Sequence, residues 1–444
     1  MWPITAMTGG LGVRAIMALF HHKNGLIAIC GIPREIVVGH VLAGFKCFYL
    51  TGYTHLMWFK KRVYLDTASG MAANPSSPHE EGRRAKAMLE GARTTIARLV
   101  EVQADDVIFT SGATESNALA ILGHVRALRT LAGPDTAGRS NMHILYLPSS
   151  HASIVENVKM LANEGATIEP LPVKDYRVDT DALVKLIRSE TVLVAMDAVC
   201  GETGVVWNTR EVASVLSASK IGHPMSNLGG GRPMLHVDAS QASLTEKITR
   251  DHFGADTLTF DGAKVGDVRG IGALIAHRTI PIEPLYKGGG QERGLRPGSE
   301  APELAARFAT VLAAAARNRE VFRASAEVDR TKLAKLITSA ISSVYIQEGR
   351  AQVPHVLNLS LPGRDPDYLV ALLDEAGFAV STRSACETDS EEGSRAVYVL
   401  TGDIEKAKST LRISWNATTK QRELMRFGRA LVEAAAFIDS SSKR

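Results

Sequence analysis

Downstream of Met57 the chain alternates between short apolar runs and longer stretches with helical spacing. Residues 106–110 form a strand-like run, and 113–131 then repeat apolar positions every three to four residues. Residues 142–147 and 191–197 read as strands, each followed by a helical pattern, at 152–163 and 209–220. Three further apolar runs lie at 235–238, 256–260 and 271–276. Continuous apolar strands separated by helices predict a parallel or mostly parallel sheet buried on both faces. Residues 216–235, rich in Ser, Gly, Asn and Pro, and Gly288-Gly289-Gly290 read as loops. From residue 301 the texture changes. Ala-rich helices run to about residue 344, followed by strands at 355–361 and 410–415 and helices at 367–376 and 420–438. The fold class expected is therefore α/β, with a large domain whose mostly parallel sheet lies between helices and a smaller α+β C-terminal domain. The expected boundaries are 57–315 for the large domain and 316–439 for the small one. Residues 57–80 would be a short segment able to pack on the small domain, 1–56 an extension and 440–444 a frayed tail.

Composition adds exclusions. Of 444 residues 45% are apolar and 22% charged, as in a globular protein. The net charge of +4 is unclustered and gives no reason to expect nucleic acid. Arg14, Lys23, Arg34 and Lys46 against Glu35 place most of that bias in residues 1–56. That segment has no charge-free apolar run of about 18 residues, so no spanning helix is expected. It also lacks the basic start of a secretory signal. A start codon assigned too early, with Met57 as the natural beginning of a strand, is the expected reading of this segment, with a membrane anchor and a transit segment as its rivals. Four cysteines (Cys30, Cys47, Cys200, Cys386) exclude a disulfide scaffold and fit a reducing cytoplasm.

Four segments carry candidate chemistry. Thr110-Ser111-Gly112-Ala113-Thr114-Glu115-Ser116 joins a strand to a helix. Its small residues and first-turn amides suit a phosphate, though Ser111 and Thr114 also suit plain helix caps. Asp238 ends a strand in His236-Val237-Asp238-Ala239-Ser240-Gln241, where an anion faces a heterocyclic cation or caps a helix. Lys264 follows a buried strand among small residues. Partial burial would make it an amine nucleophile, whereas a snorkelling lysine is the plain alternative. Cys386 sits in a small, polar, acidic stretch (381–393) that reads as an exposed loop. It is a candidate thiolate beside Arg383, an incidental surface thiol or a metal ligand. Cys200, beside an apolar strand, reads as structural.

Together these segments resemble the cysteine desulfurases, the NifS/IscS-like branch of the fold-type I pyridoxal-phosphate enzymes. The resemblance runs from about Tyr64 to Val432. Its motifs follow in order: Tyr64-Leu65-Asp66, Asn74-Pro75-Ser76-Ser77-Pro78-His79, the Ser111–Ser116 cradle, His151, Asp238, Lys264, the glycine-rich stretch 288–298, Ser384-Ala385-Cys386 and Leu411-Arg412-Ile413-Ser414. It implies pyridoxal 5'-phosphate as cofactor, with Lys264 as the Schiff-base lysine that also moves protons. It further implies Asp238 against the pyridinium nitrogen, Gln241 on the ring hydroxyl and His151 stacked on the ring. Ala113 and Thr114 would contact the phosphate, and Ser299 would reach the phosphate of a neighbouring subunit in a homodimer. Arg412 would clamp the substrate carboxylate. Cys386 would take sulfur from L-cysteine as a persulfide, leaving L-alanine, and pass it to an acceptor protein. That acceptor would be an iron–sulfur scaffold or a tRNA thiolation enzyme. No resident metal, no direct nucleic-acid contact and no membrane are implied, although Cys386 is a candidate transient iron–sulfur ligand. The long stretch before Val397-Tyr398 is similar to the family's long-loop subgroup.

The chain departs from the family pattern at three places. The arm at 67–73 is short. Gly201 stands where the family has a cofactor-contacting asparagine. Asp261-Gly262-Ala263-Lys264 replaces Ser-Gly-His-Lys, which sets an acid near a phosphate dianion, so weaker cofactor affinity is expected. The rival readings are a selenocysteine lyase or another fold-type I lyase or aminotransferase, and a non-catalytic sulfur-relay partner.

Overall fold

The computed structural model describes the backbone of residues 16–22, 25–32 and 35–40. It describes backbone and side chains of 63–71, 73–132, 142–219, 231–382 and 393–441. The chain divides into two units, residues 1–65 and 66–444. In the first unit β1 (Ile16–His22), β2 (Gly25–Ile32) and β3 (Glu35–His40) form an antiparallel meander. The strand expected to begin at Met57 is not seen at residues 63–66, which have no regular structure; 57–62 lie outside the described residues.

The second unit is built on a seven-stranded sheet. Its strands are β4 (Val107–Thr110), β5 (His143–Tyr146), β6 (Thr167–Pro170), β9 (Thr191–Asp197), β10 (Met234–Asp238), β11 (Thr257–Asp261) and β12 (Gly272–Ala276). A two-residue hairpin, β7 (Val173–Lys174) and β8 (Arg177–Val178), lies outside it. The sheet order is β4-β12-β11-β10-β9-β5-β6. Every pairing from β11 to β6 is parallel, and β12 alone runs against its neighbours.

The wholly apolar reading of 191–197 has a direct cause. All seven residues of β9 are buried, with Val194 and Met196 in one apolar cluster and Leu193 and Ala195 in another on the opposite face. Phe260 and Phe308 are among the largest fully buried side chains.

Residues 301–344 hold one helix, Pro302–Ala340, rather than several. Its C-terminal half packs with helices Pro366–Glu375 and Gln421–Ser441 on a second, antiparallel sheet of β13 (Tyr345–Ile346), β14 (Val356–Ser360) and β15 (Thr410–Ser414). The last helix runs to Ser441, past the expected start of the tail at 440, and 442–444 lie outside the described residues. Helix Glu80–Val100 was not anticipated. Its buried positions Ala85, Leu89, Ala92, Ile96 and Val100 recur with helical spacing, but half of the stripe is small or flanked by charge.

Candidate active site

An aspartate closes each of three neighbouring parallel strands: Asp197 ends β9, Asp238 ends β10 and Asp261 ends β11. In an open α/β sheet, ligands bind beyond these carboxyl ends. A cavity of about 270 Å³ opens there. Its wall includes Ala113, Thr114, His151, Asp197, Gly201, Asp238, Gln241, Asp261, Lys264, Arg395 and Arg412. The structure thus brings together seven of the nine expected site residues. Ser299 is exposed and outside the cavity wall. Cys386 and Arg383 lie outside the described residues.

Asp238 is buried, and both of its oxygens are engaged. Oδ1 accepts from the Ser240 amide at 2.9 Å, and Oδ2 from Asn117 Nδ2 at 2.7 Å. Asn117 spends its other amide proton on Ser153 Oγ at 2.8 Å. Its carbonyl oxygen must then accept, so His236 Nε2 carries a proton toward it at 3.0 Å. His236 Nδ1 in turn accepts from Thr257 Oγ1 at 2.9 Å. Complete burial pushes the His236 ring down to about 3, with His124 adding a little, so the neutral form fits this chain of bonds. The network reaches His151, whose Nδ1 accepts from the Ser153 amide at 3.2 Å and lies 2.8 Å from Ser153 Oγ. Because Nδ1 accepts, the neutral His151 ring carries its proton on Nε2. One asparagine therefore ties the Asp238 carboxylate to the orientation of His151.

Asp197 lies beside Asp238, in register across the two strands. Its Oδ1 accepts from Ser150 Oγ at 2.7 Å. Burial, with the Asp238 carboxylate adding to it, pushes Asp197 up to about 8. Cys200 is also buried in the wall, and burial raises its thiol to about 12. It is an inert packing residue, as expected.

Gly201 explains a departure from the family pattern. A Cβ there would lie 2.8 Å from Gln241 Nε2 and 3.1 Å from its Cδ. The glutamine fills the space in which a side chain at 201 would begin. Arg412 Nη1 donates to Gly201 O at 3.3 Å, which places the guanidinium at the cavity from β15.

Lys264 corrects an expectation. It lies on the short helix Gly262–Val265 after β11, but its side chain is exposed rather than partly buried. Among the described residues it makes no hydrogen bond or ion pair, so its ammonium is unengaged at the cavity mouth. The residue before that helix is engaged. Asp261 Oδ1 accepts from the Ala263 amide at 2.8 Å, and Oδ2 from the Ala113 amide at 2.9 Å.

Asn117, Ser153, His236, Asp197 and Arg395 escaped the sequence reading. Arg395, on helix Arg395–Thr401, donates to Ser150 O at 2.9 Å. Asp197 and Asp261 did carry a signal, since each closes a short strand run as Asp238 does. No helix among the described residues is long and apolar enough to cross a membrane. Among them no group of three or more His, Cys, Asp and Glu side chains is placed to hold a metal ion.

Comparison with known proteins agrees with this geometry. The Aminotransferase class-V family matches residues 63–427. Cysteine desulfurase IscS of Dictyoglomus turgidum is 30% identical over 355 residues, covering 79% of this chain and 84% of that protein. Cysteine desulfurase IscS 1 of Archaeoglobus fulgidus is 29% identical over 342 residues, 77% of this chain and 84% of that one. Among solved structures, a NifS-like protein superposes with a TM-score of 0.72 at 24% identity, covering 82% of this chain and 92% of the other. DndA from Streptomyces lividans superposes with a TM-score of 0.62 at 30% identity, covering 79% and 93%. The pyridoxal-phosphate dependence, the mostly parallel sheet with one reversed strand and the ordered motifs all follow from one fact: this chain belongs to the class-V aminotransferase family, among the relatives of the cysteine desulfurases.

Proposed function

We propose that the protein is a cysteine desulfurase that converts L-cysteine to L-alanine and holds the released sulfur as a persulfide on Cys386. The observation that carries this reading is the convergence of Asp238, Gln241, His151, Lys264 and Arg412 on one cavity. The wall suits pyridoxal phosphate. It offers a buried carboxylate, a ring-stacking imidazole, an unengaged amine, and the Ser149 and Ser240 hydroxyls, which are buried without a hydrogen-bond partner among the described residues. When bound, the cofactor supplies the electron sink that labilises bonds at the substrate Cα and Cβ.

The chain's own groups do the rest. Asp238, fixed by Asn117 and Ser240, favours a protonated ring nitrogen. Gln241 holds the ring hydroxyl, and His151 covers the ring face with Nε2–H as its donor. Arg412 receives the substrate carboxylate with a planar, two-pronged donor. Lys264 holds the cofactor and moves the proton at Cα. Cys386 thiolate takes the sulfur, so that cysteine plus enzyme thiol becomes alanine plus enzyme persulfide. An acceptor protein, either an iron–sulfur scaffold or a tRNA thiolation enzyme, then receives it. The same reading makes the protein a cytoplasmic homodimer in which exposed Ser299 serves the neighbouring site. It also divides the family region into a cofactor domain (57–315) and a small domain (316–439).

The test is alanine release from L-cysteine by protein supplied with pyridoxal phosphate and a reductant. Alanine is expected, with turnover lost by about three orders of magnitude or more in Lys264→Ala and in Cys386→Ala. Turnover of selenocysteine alone would identify a selenocysteine lyase. Cofactor binding without turnover of either amino acid would identify a relay protein.

A further inference from the structure

We infer that Asp261 and the cofactor phosphate compete for the same backbone amide, so that this chain separates phosphorylated from unphosphorylated pyridoxal less than a serine at 261 would. The inference rests on the reading of the cavity as a pyridoxal-phosphate site.

The carboxylate of Asp261 bridges two elements. Through Oδ1 it caps the helix that carries Lys264, and through Oδ2 it sits on Ala113 N, the first amide of the helix that follows the cradle's glycine. The backbone is shaped around that oxygen. Gly112 has φ +150, and a Cβ on it would lie 3.3 Å from Asp261 Oδ2. A Cβ on Gly272 would meet the Gly112 backbone at 2.7 Å. The chain therefore holds its own acid against the loop by close approach of two glycines. A second amide of the loop, Ser111 N, is already taken by Glu115, which also pairs with Arg296 and accepts from Tyr286. These two amides thus carry anions from the chain itself.

An amide has one proton. A phosphate oxygen seated on Ala113 N has to displace Asp261 Oδ2, and the displaced carboxylate stays tethered next to it by the Ala263 contact. Two acceptors of like charge then share one donor, which opposes phosphate binding. A serine would reverse both effects, since its hydroxyl caps the helix and donates to the phosphate. The pyridine ring, held at Asp238, Gln241 and His151, meets none of this.

The experiment is isothermal titration of cofactor-free full-length protein with pyridoxal phosphate and, separately, with pyridoxal. Asp261→Ser is expected to tighten pyridoxal phosphate by about tenfold or more while pyridoxal changes by less than about twofold. Asp261→Asn keeps an acceptor for Ala263 N and removes the charge, so it guards against a folding defect and is expected to shift the same way. If both variants bind pyridoxal phosphate no tighter than the wild type, or if pyridoxal tightens equally, the competition is refuted while the cofactor reading stands. Absence of binding of either compound to any of the three proteins would overturn the cofactor reading and this inference together.

Discussion

Asp197 is the residue at which burial has the plainest consequence. Its carboxyl is raised from an ordinary value of 3.8 to about 8, chiefly by desolvation. A native acid that binds its proton more tightly than the unfolded chain does stabilises the fold at low pH. That contribution is fully present below 3.8 and is lost as pH rises through 8. Asp197→Asn keeps an oxygen for the Ser150 hydroxyl and has no charge to bury. Its melting temperature is expected to exceed the wild type's at pH 9, with the difference closing as pH falls toward 4; differential scanning fluorimetry across that range measures it. A constant difference would mean that the carboxyl finds a partner when it ionises. Charge-bearing residues such as Asp238, Lys264 and Arg412 were legible in the sequence because they sit in ordered motifs. Asn117, Ser153 and His236 were not. A polar side chain inside a helix or strand reads the same whether it faces water or a buried partner, and only the fold decides that.

At the scale of elements, legibility followed burial on two faces. Strands β9, β10 and β11 were found nearly to the residue because both faces are covered and most positions before the closing aspartate are apolar or small. The edge strand β6 was not, since all four of its residues are at least partly open and it ends in Pro170. The helical layer on the second sheet depends on a close approach of two helices. A Cβ at Gly428 on Gln421–Ser441 would lie 2.9 Å from Leu333 Cδ1 and 3.0 Å from Leu336 Cδ2 on Pro302–Ala340. Gly428→Leu is expected to lower stability by about 1–3 kcal/mol through overpacking, despite the better helix propensity. Leu333→Ala, at a fully buried position, is expected to lose about 2–5 kcal/mol. Because each change addresses the other's defect, the double variant should lose less than the sum. Urea unfolding midpoints give all three values, and simple additivity would mean that the helices shift apart instead of repacking.

For the molecule as a whole, one buried ion pair joins three distant parts of the chain. Arg93, from helix Glu80–Val100, donates Nη1 to Glu292 Oε2 and Nη2 to Oε1, both at 2.8 Å. Glu292 Oε2 also accepts from Phe109 N at 2.8 Å, and Arg93 Nη1 donates to Val107 O at 2.6 Å. Helix, strand β4 and the loop that leads to Ser299 are thereby fixed to one another, four residues before the cradle at Ala113. The loop needs this hold. Glu292 and Arg293 take φ of +48 and +61 in succession, a left-handed conformation that costs each non-glycine residue on the order of 1 kcal/mol. The sequence could mark Gly288–Gly290 as a loop, but a pair 199 positions apart leaves no local pattern. Arg93→Leu would strand Glu292 as an unpaired buried charge, a loss of about 3–5 kcal/mol. Replacing both partners with leucine should restore part of that stability by removing the charge. It should not restore cofactor affinity if the pair sets the geometry of the cradle, because the Phe109 amide would still lack its acceptor and the loop its anchor. Denaturant midpoints and pyridoxal-phosphate titration on the same three proteins separate the two roles. Recovery of stability and affinity together would reduce the pair to a packing device, whereas recovery of stability alone would make it the link through which the loop and the cofactor site keep their shape.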